Sequence, residues 1–411
     1  MSDSIAVTTA AQVLETLRWA NSDGKTLNVQ GRGSKRLLGR RMSCDHTLDL
    51  GGLSGIIDYA PNELVLTAKA GTSLTEIETA LDQHAQELSF EPPDLGPLLG
   101  QAAGQGTVGG LIGCNLAGSR RIKTGSARDH FLGFHAVSGR AEKFKSGGRV
   151  VKNVTGFDLS KLIAGSYGTL AVMTELTLKV LPRPDKIRTV VVCWSTDGVY
   201  DHGGIRSMTD ALASSHEVSG AAFIPARLTK RSDVDYIRSA GGSISAIRVE
   251  GPGPSVTHRA EELKKMLAGY GTVEELHSSN SRRFWKEVRD VAFLAADLNK
   301  AVWRLSVPPE QGSKVALSIL AGHPGDVVYD WGGGLIWLAV DPADRACVDT
   351  IRAAVDRVGG HATLIRGTSG LHDRIPVFHP QSAVIAEISK RVKSGFDPAG
   401  VLNPGRMYEG V

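Results

Sequence analysis

Glycine is the residue that most restricts what this chain can fold into. The sequence holds 48 of them, and in the first half they gather into loops rather than scattering: Gln30-Gly31-Arg32-Gly33-Ser34-Lys35, then Gly104 to Gly118, then Gly156 to Gly168. A residue without Cβ is costly to order and is used where the backbone must turn left-handed or approach a ligand closely. The first loop follows a predicted strand. Its successive N–H groups form a concave nest for anions, and Arg32, Lys35, Arg36 and Arg40 add positive charge nearby. A phosphate or diphosphate suits it, although alone it reads equally well as a β-turn with a solvated basic flank. It is not a P-loop, because the Gly-x4-Gly-Lys-Ser/Thr spacing is absent. It is not a Rossmann turn either, because Arg36 stands where the third glycine belongs.

The second loop contains Gly104-Gln-Gly106-Thr-Val-Gly109, with Asp129 about twenty residues on, a spacing that taken alone assigns a nicotinamide dinucleotide. The context refuses that reading, since Pro92, Pro93, Gly96, Pro97 and Gly100 precede it where a strand should be. A stretch as long as 91–125, rich in small apolar residues, is better explained as backbone lying against a flat or charged ligand. In the third, a helix from Asp158 ends near Gly165, a turn passes Gly168 and a strand begins at Leu170. Main-chain groups are thereby presented at the strand mouth. By itself that is also an ordinary αβ connection.

A chain of 411 residues is about twice one compact domain, so two domains sharing a cleft are expected. Its 41% hydrophobic and 22% charged residues exclude wholesale disorder. The 47 bases and 43 acids are dispersed, without a basic run that would demand nucleic acid. No apolar stretch approaches the ~20 residues of a membrane span and the start lacks a signal-peptide pattern, so a soluble protein of the cytoplasm is expected. Cys44, Cys114, Cys193 and Cys347 are too far apart for a metal knuckle or an iron–sulfur loop.

Alternation and punctuation predict strands at 26–30, 47–50, 56–60 and 64–70, helices at 10–20 and 73–84, strands at 131–137, 143–151 and 170–181, and a break at Pro182 and Pro184. Beyond it the order βαββαβ occurs twice: strands at 187–194, 219–224, 243–249 and 272–275, then at 302–307, 326–330, 335–340 and 362–365. The interleaved helices lie at 203–213 and 255–267, then at 312–320 and 343–358. Two such units merge into one antiparallel sheet with helices on one side. The expected fold class is α+β: a domain of two α+β subdomains at 1–184, a cap at 185–394, and a tail at 395–411 returning to the first domain.

The three loops, in this order, resemble the FAD-binding domain of the vanillyl-alcohol oxidase superfamily, the PCMH-type fold. Within it the chain is similar to glycolate oxidase FAD-binding subunits over nearly its whole length. The residues that carry this are Gly31-Arg-Gly-Ser-Lys-Arg-Leu-Leu-Gly39, Gly106-Thr-Val-Gly-Gly-Leu, Gly156-Phe-Asp-Leu-Ser-Lys-Leu and Phe396-Asp-Pro-Ala-Gly-Val-Leu-Asn-Pro-Gly405. The resemblance implies that Gly31, Arg32, Gly33, Ser34 and Lys35 bind the FAD diphosphate and that Pro93 and Asp94 sit near the cofactor. Thr107, Gly109, Gly110, Asn115 and Gly118 would make a second diphosphate and ribose wall. Gly125, Asp129, Gly165 and Val172 would complete the contacts, with Asn403 near the flavin ring. Noncovalent FAD is implied, because no histidine or cysteine stands in the first loop where some relatives tether the flavin.

The resemblance further implies oxidation of a small 2-hydroxy acid such as glycolate to its 2-oxo acid. Electrons would pass to a paralogous catalytic flavoprotein subunit and an iron–sulfur subunit, with the complex in the cytoplasm or at the inner-membrane periphery. Two departures matter. The third loop reads Ser166-Tyr-Gly-Thr-Leu-Ala171 where relatives usually have Ser-Glu-Gly-Thr-Leu-Gly. The cap offers only Gly322-His323-Pro-Gly325-Asp326 in place of a histidine-bearing metal motif, so no metal is expected. Arg366 and His379 are the candidates for the substrate carboxylate and the proton. The missing cap histidines support an alternative, a subunit that holds FAD while a paralogue turns over substrate.

Overall fold

The computed structural model describes residues 3–149, 156–194, 202–341, 344–367 and 370–411. Strand Leu27–Gln30 pairs in parallel with His46–Asp49, and that strand in turn with Asp3–Ala6. The sequence reading leaves Asp3–Ala6 as a tail. The strand is short and mostly exposed, so it carries no alternation, and its pairing depends on a partner distant in the chain. Helix Ala10–Ser22 is closed by a capping box of Thr9 and Gln12. It buries Val13, Leu17 and Ala20 against Leu48, Val172 and Val401.

A five-stranded antiparallel sheet runs in the order Ile56–Ala60, Val65–Lys69, Ala171–Lys179, Phe131–Ser138, Lys143–Gly147. The far end of the strand expected at 143–151 lies outside the described residues, as does the start at Ala343 of a predicted cap helix. The proline- and glycine-rich stretch is not wholly irregular, because Val108–Cys114 is helical. Gly109 and Gly110 are poor helix formers, yet here tertiary packing decides. A Cβ on Gly109 would lie 2.8 Å from the Ala70 carbonyl oxygen, so a glycine is what lets this turn sit against the strand end.

From Lys186 onward the chain builds one eight-stranded antiparallel sheet, in the order 272–277, 186–194, 243–251, 220–224, 325–330, 335–340, 301–306, 361–366. Its two halves are the two predicted βαββαβ units. They join where Phe223 pairs with Tyr329. Residues alternate between two buried faces, as period-2 geometry requires. Trp303, Leu305, Ile247 and Val249 pack under helices His202–Ala213, Gly253–Leu267, Gly312–Leu320 and Arg345–Asp356. Val302, Val328, Ala246 and Trp337 join a core continuous with that of the N-terminal sheets. After helix Ala383–Phe396 the chain returns to the first strand, where Leu27 N–H donates to the Val401 carbonyl (2.8 Å) and Asn403 N–H to that of Leu27 (3.0 Å).

Candidate functional site

A cleft of about 790 Å³ opens where the three glycine segments meet. The first loop leaves strand Leu27–Gln30 and touches the second at once, for a Cβ on Gly31 would lie 2.5 Å from Thr107 Oγ1. Thr107 caps helix Val108–Cys114, its Oγ1 accepting from Gly110 N–H. Leu74 N–H donates to Gly106 and Val108 N–H to Thr72, both at 3.0 Å, which anchors this loop to the end of the five-stranded sheet. The third segment docks on the same helix: Gly165 N–H reaches the Ile112 carbonyl at 3.0 Å and Tyr167 N–H that of Gly113 at 2.8 Å. Asn403 then joins the first segment to the third. Its Oδ1 accepts from Val29 N–H and its Nδ2 donates to the Tyr167 carbonyl, each at 2.7 Å.

Among the described residues, no main-chain N–H from Gly31 to Lys35 donates to a protein acceptor. Lys35 lies beside these donors. Burial pulls its ammonium below the ordinary lysine range, against the opposing pull of Cys114 and Asp94, and no described carboxylate forms an ion pair with it. Five main-chain donors without a protein acceptor, beside a cation with no carboxylate partner, make a basic nest suited to an anion. Arg406 supports the loop from the tail, donating to the carbonyls of Lys35 and Arg36 at 3.0 Å. The arrangement fits a diphosphate.

Gly31, Arg32, Gly33, Ser34, Lys35, Thr107, Gly109, Gly110 and Asn403 line this cleft. Pro93 and Asp94 line a neighbouring recess of about 1750 Å³ that shares Lys35 with it. There Asp94 accepts from Gly96 and Gly104 N–H and so shapes its own loop. The remaining expected residues stand apart from the cleft, each for a local reason. Asn115 ends helix Val108–Cys114 at φ +49° and accepts from Arg128 N–H. Gly118 packs where a Cβ would meet Glu91 at 2.9 Å, and Gly125 where one would meet Asp129 at 2.8 Å. Asp129 completes a capping box with Ser126. Gly165 turns against Asn115. On strand Ala171–Lys179 it is Ala171 and Met173 that line the cleft, and the Val172 side chain packs in the opposite core.

The structure does not bring Arg366 and His379 to the cleft. Arg366 is buried and donates to the carbonyls of Lys300, Leu98, Leu294 and Asp297, which consumes its guanidinium in holding loops together. His379 bridges Asp356, at 2.7 Å, and Arg352, at 3.1 Å. Residues that the sequence reading passed over are Asn28, Val29, Gly113, Cys114, Tyr167, Gly168 and Arg406, all on the cleft wall. The one available signal was Tyr167-Gly168, the position where the third loop departs from its relatives. Both residues have positive φ, +53° and +72°, and a Cβ on Gly168 would lie 2.8 Å from Asn403 Nδ2.

Asn403→Ala removes the acceptor of Val29 N–H and the donor to the Tyr167 carbonyl, and it leaves alanine at φ +42°. The expected cost is about 2–4 kcal/mol, read as a melting temperature lower by a few degrees and a faster loss of cofactor on dilution. An unchanged melt would show that the tail is held by other means.

A family model described as "FAD binding domain" matches residues 4–145. Glycolate oxidase subunit GlcE of Escherichia coli (strain K12) is 34% identical over 399 residues, 96% of this chain and 96% of that protein. Glycolate oxidase subunit GlcD of Bacillus subtilis (strain 168) is 23% identical over 390 residues, 87% of this chain and 78% of its own. Among solved structures, 4-ethylphenol oxidase from Gulosibacter chungangensis superposes with a TM-score of 0.71 at 13% identity, over 99% of this chain and 89% of that one. At that identity the likeness is one of fold, and the fold is the expected PCMH-type α+β arrangement.

Proposed function

This chain belongs to the family of FAD-linked oxidoreductases that includes the glycolate oxidase subunit GlcE, and from that premise we propose that it is the FAD-binding subunit of a glycolate-oxidase-type complex oxidising a small 2-hydroxy acid to the 2-oxo acid. The cofactor is FAD. The observation that carries the reading is the run of open N–H groups from Gly31 to Lys35, set against Thr107, Gly109 and Gly110 with the unpaired Lys35 ammonium beside them. Hydrogen bonds to a charged group contribute about 1.5–3 kcal/mol each, so a handful of these donors holds a diphosphate without a covalent link.

When bound, FAD would supply the two-electron acceptor for oxidation of the substrate's α-carbon. The chain's own part is to bind and orient. Lys35 and the first loop neutralise the diphosphate, the capped turn at Thr107 forms the facing wall, and Asn403 and Tyr167 close the end nearest the cap sheet. In this reading electrons leave through a paralogous flavoprotein subunit and an iron–sulfur subunit. Any contact with a membrane is made through them, since among the described residues no helix is long and apolar enough to cross one.

A second reading, a subunit that holds FAD while the paralogue turns over substrate, draws on the absence of any histidine or carboxylate among the residues lining the cleft. Anaerobic addition of glycolate to the purified flavoprotein separates the two. Bleaching of the flavin band is expected if this chain is catalytic. A stoichiometric flavin that stays oxidised assigns it the holding role.

A further inference from the structure

Helix Ala383–Phe396 is built inside out. Val384, Ile385 and Ile388 are exposed, while its one buried side chain is a lysine, Lys393, at 5% exposure. Lysine is almost never fully buried unless it is paired. Here all three of its donors are used: Nζ donates to Asp397 Oδ2 at 2.6 Å and to the carbonyls of Thr169 and Leu402 at 2.8 Å each. Asp397 is buried too, and it accepts from Val401 N–H at 3.0 Å through Oδ1 and from Leu402 N–H at 2.8 Å through Oδ2. Gly139 keeps the room for that carboxylate, because a Cβ there would overlap it.

The two carbonyls belong to the two segments that meet at the cleft. Thr169 follows Gly168 in the third glycine segment, Leu402 precedes Asn403 in the tail, and both Gly168 and Asn403 line the cleft. The fit between these neighbours is close, since a Cβ on Gly168 would lie 2.8 Å from Asn403 Nδ2. The bond from Asn403 Nδ2 to the Tyr167 carbonyl spans the same gap. Without the ammonium, a carboxylate oxygen and two carbonyl oxygens point at one spot shielded from water, and oxygens so placed repel one another and lack donors. They would separate. Each carbonyl is one residue from the cleft wall, so the separation reaches Gly168 on one side and Asn403 on the other.

We propose that Lys393, paired with Asp397, is a positioning residue for the cofactor: its ammonium fixes the third glycine segment against the tail at the spacing FAD requires, although Lys393 itself is not on the cleft wall. This rests on FAD as the cofactor and on no choice of substrate. Part of the affinity for FAD is then set by a charge buried behind the site, through two main-chain carbonyls.

The test dilutes the holoprotein, or the complex if it purifies as one, well below its melting temperature and follows the release of FAD by flavin fluorescence. Lys393→Met is expected to weaken FAD by about 10- to 100-fold and to shift the absorption bands of the flavin that stays bound. A merely structural role predicts a lower melt with wild-type affinity and spectrum in the folded protein. The double variant Lys393→Met/Asp397→Asn separates the two and serves also if the single variant does not fold. Neutralising both groups removes the cost of a buried unpaired carboxylate, so the melt should recover towards wild type while FAD remains weakly held, because the Thr169 and Leu402 carbonyls still lack their donor. Arg140→Met is the control. It removes a 3.0 Å bond to the Gly395 carbonyl of the same helix at an exposed position and should leave FAD affinity as in wild type. Wild-type affinity and spectrum in folded Lys393→Met overturn the proposal, as does an affinity that recovers along with the melt in the double variant or an equal loss in Arg140→Met. Anaerobic glycolate keeps the two readings apart: a flavin that glycolate never reduces, in a protein whose FAD affinity depends on Lys393, sinks the oxidation reading alone. Glycolate reduction in a Lys393→Met protein that holds FAD as tightly as wild type sinks the positioning role alone.

Discussion

Gly33→Val gives a folded protein that retains no FAD. Gly33 sits at φ +74°, and a Cβ built there meets only Gln30 Oε1, at 3.7 Å, so the chain itself has room for a side chain. What the substitution alters is the loop. A β-branched residue at positive φ costs about 1–2 kcal/mol and turns the nest N–H groups away from a common centre, while its methyl groups project into the space they face. The apo protein should lose only a few degrees in its melt, whereas the FAD-to-protein ratio falls close to zero. Stoichiometric flavin in a folded Gly33→Val protein would falsify the assignment of the first loop. Gly31→Ala is the companion experiment. Its added Cβ meets Thr107 Oγ1 at 2.5 Å, so it separates the loops themselves and is expected to lower both stability and retention.

The second large effect is structural. Arg248→Met should destabilise the protein by about 3–5 kcal/mol, the cost of leaving a buried carboxylate without its partner. Arg248 donates to both oxygens of Glu91, at 2.7 and 3.0 Å, and to Ser219, and it stacks over Trp285 at 4.5 Å. Arg120 completes the cluster, donating from its main chain to Glu91 and from its side chain to Glu87 and Glu250. Burial by itself would raise the Glu91 carboxyl, but Arg248 and Arg120 overcome it and hold the group down to about 2. A carboxyl with a depressed folded pKa stabilises above its unfolded value near 4.5, and that contribution disappears as pH falls from about 4.5 to about 2. In Arg248→Met that depression is relieved, so the deficit against wild type should be largest near pH 7 and shrink as pH falls from about 4.5 towards 2. Urea melts between pH 3 and 7 read both effects, and Glu91→Gln on the Arg248→Met background should recover part of the loss. A variant as stable as wild type across this range would mean the lobes are held by apolar contact alone.

Much of the architecture was open to reading from the residues. The inner cap strands carry two interleaved apolar sets, and the order of elements repeats, so both βαββαβ units could be drawn before their meeting at Phe223 and Tyr329 was known. The cleft loops were visible because glycine leaves a local trace. The expected residues that stand apart from the cleft share one cause, which is that their positions depend on direction rather than type. Val172 and Met173 are one position apart on a strand and face opposite cores. Asp129 resembles a ribose ligand until Ser126 is found three residues before it, ready for a capping box. Arg366 has the charge that a substrate site needs, and four carbonyls distant in sequence have already claimed it.

Asn403 also sets an order of assembly. It fastens Val29 to Tyr167, yet it is synthesised 374 residues after Val29, once the whole cap sheet has emerged. Until then the strand end and the third loop lack their common clasp, and the long-range closure is slow by its nature. A growing chain therefore carries its pigment pocket open through nearly all of translation, and the coloured protein is a product of completion.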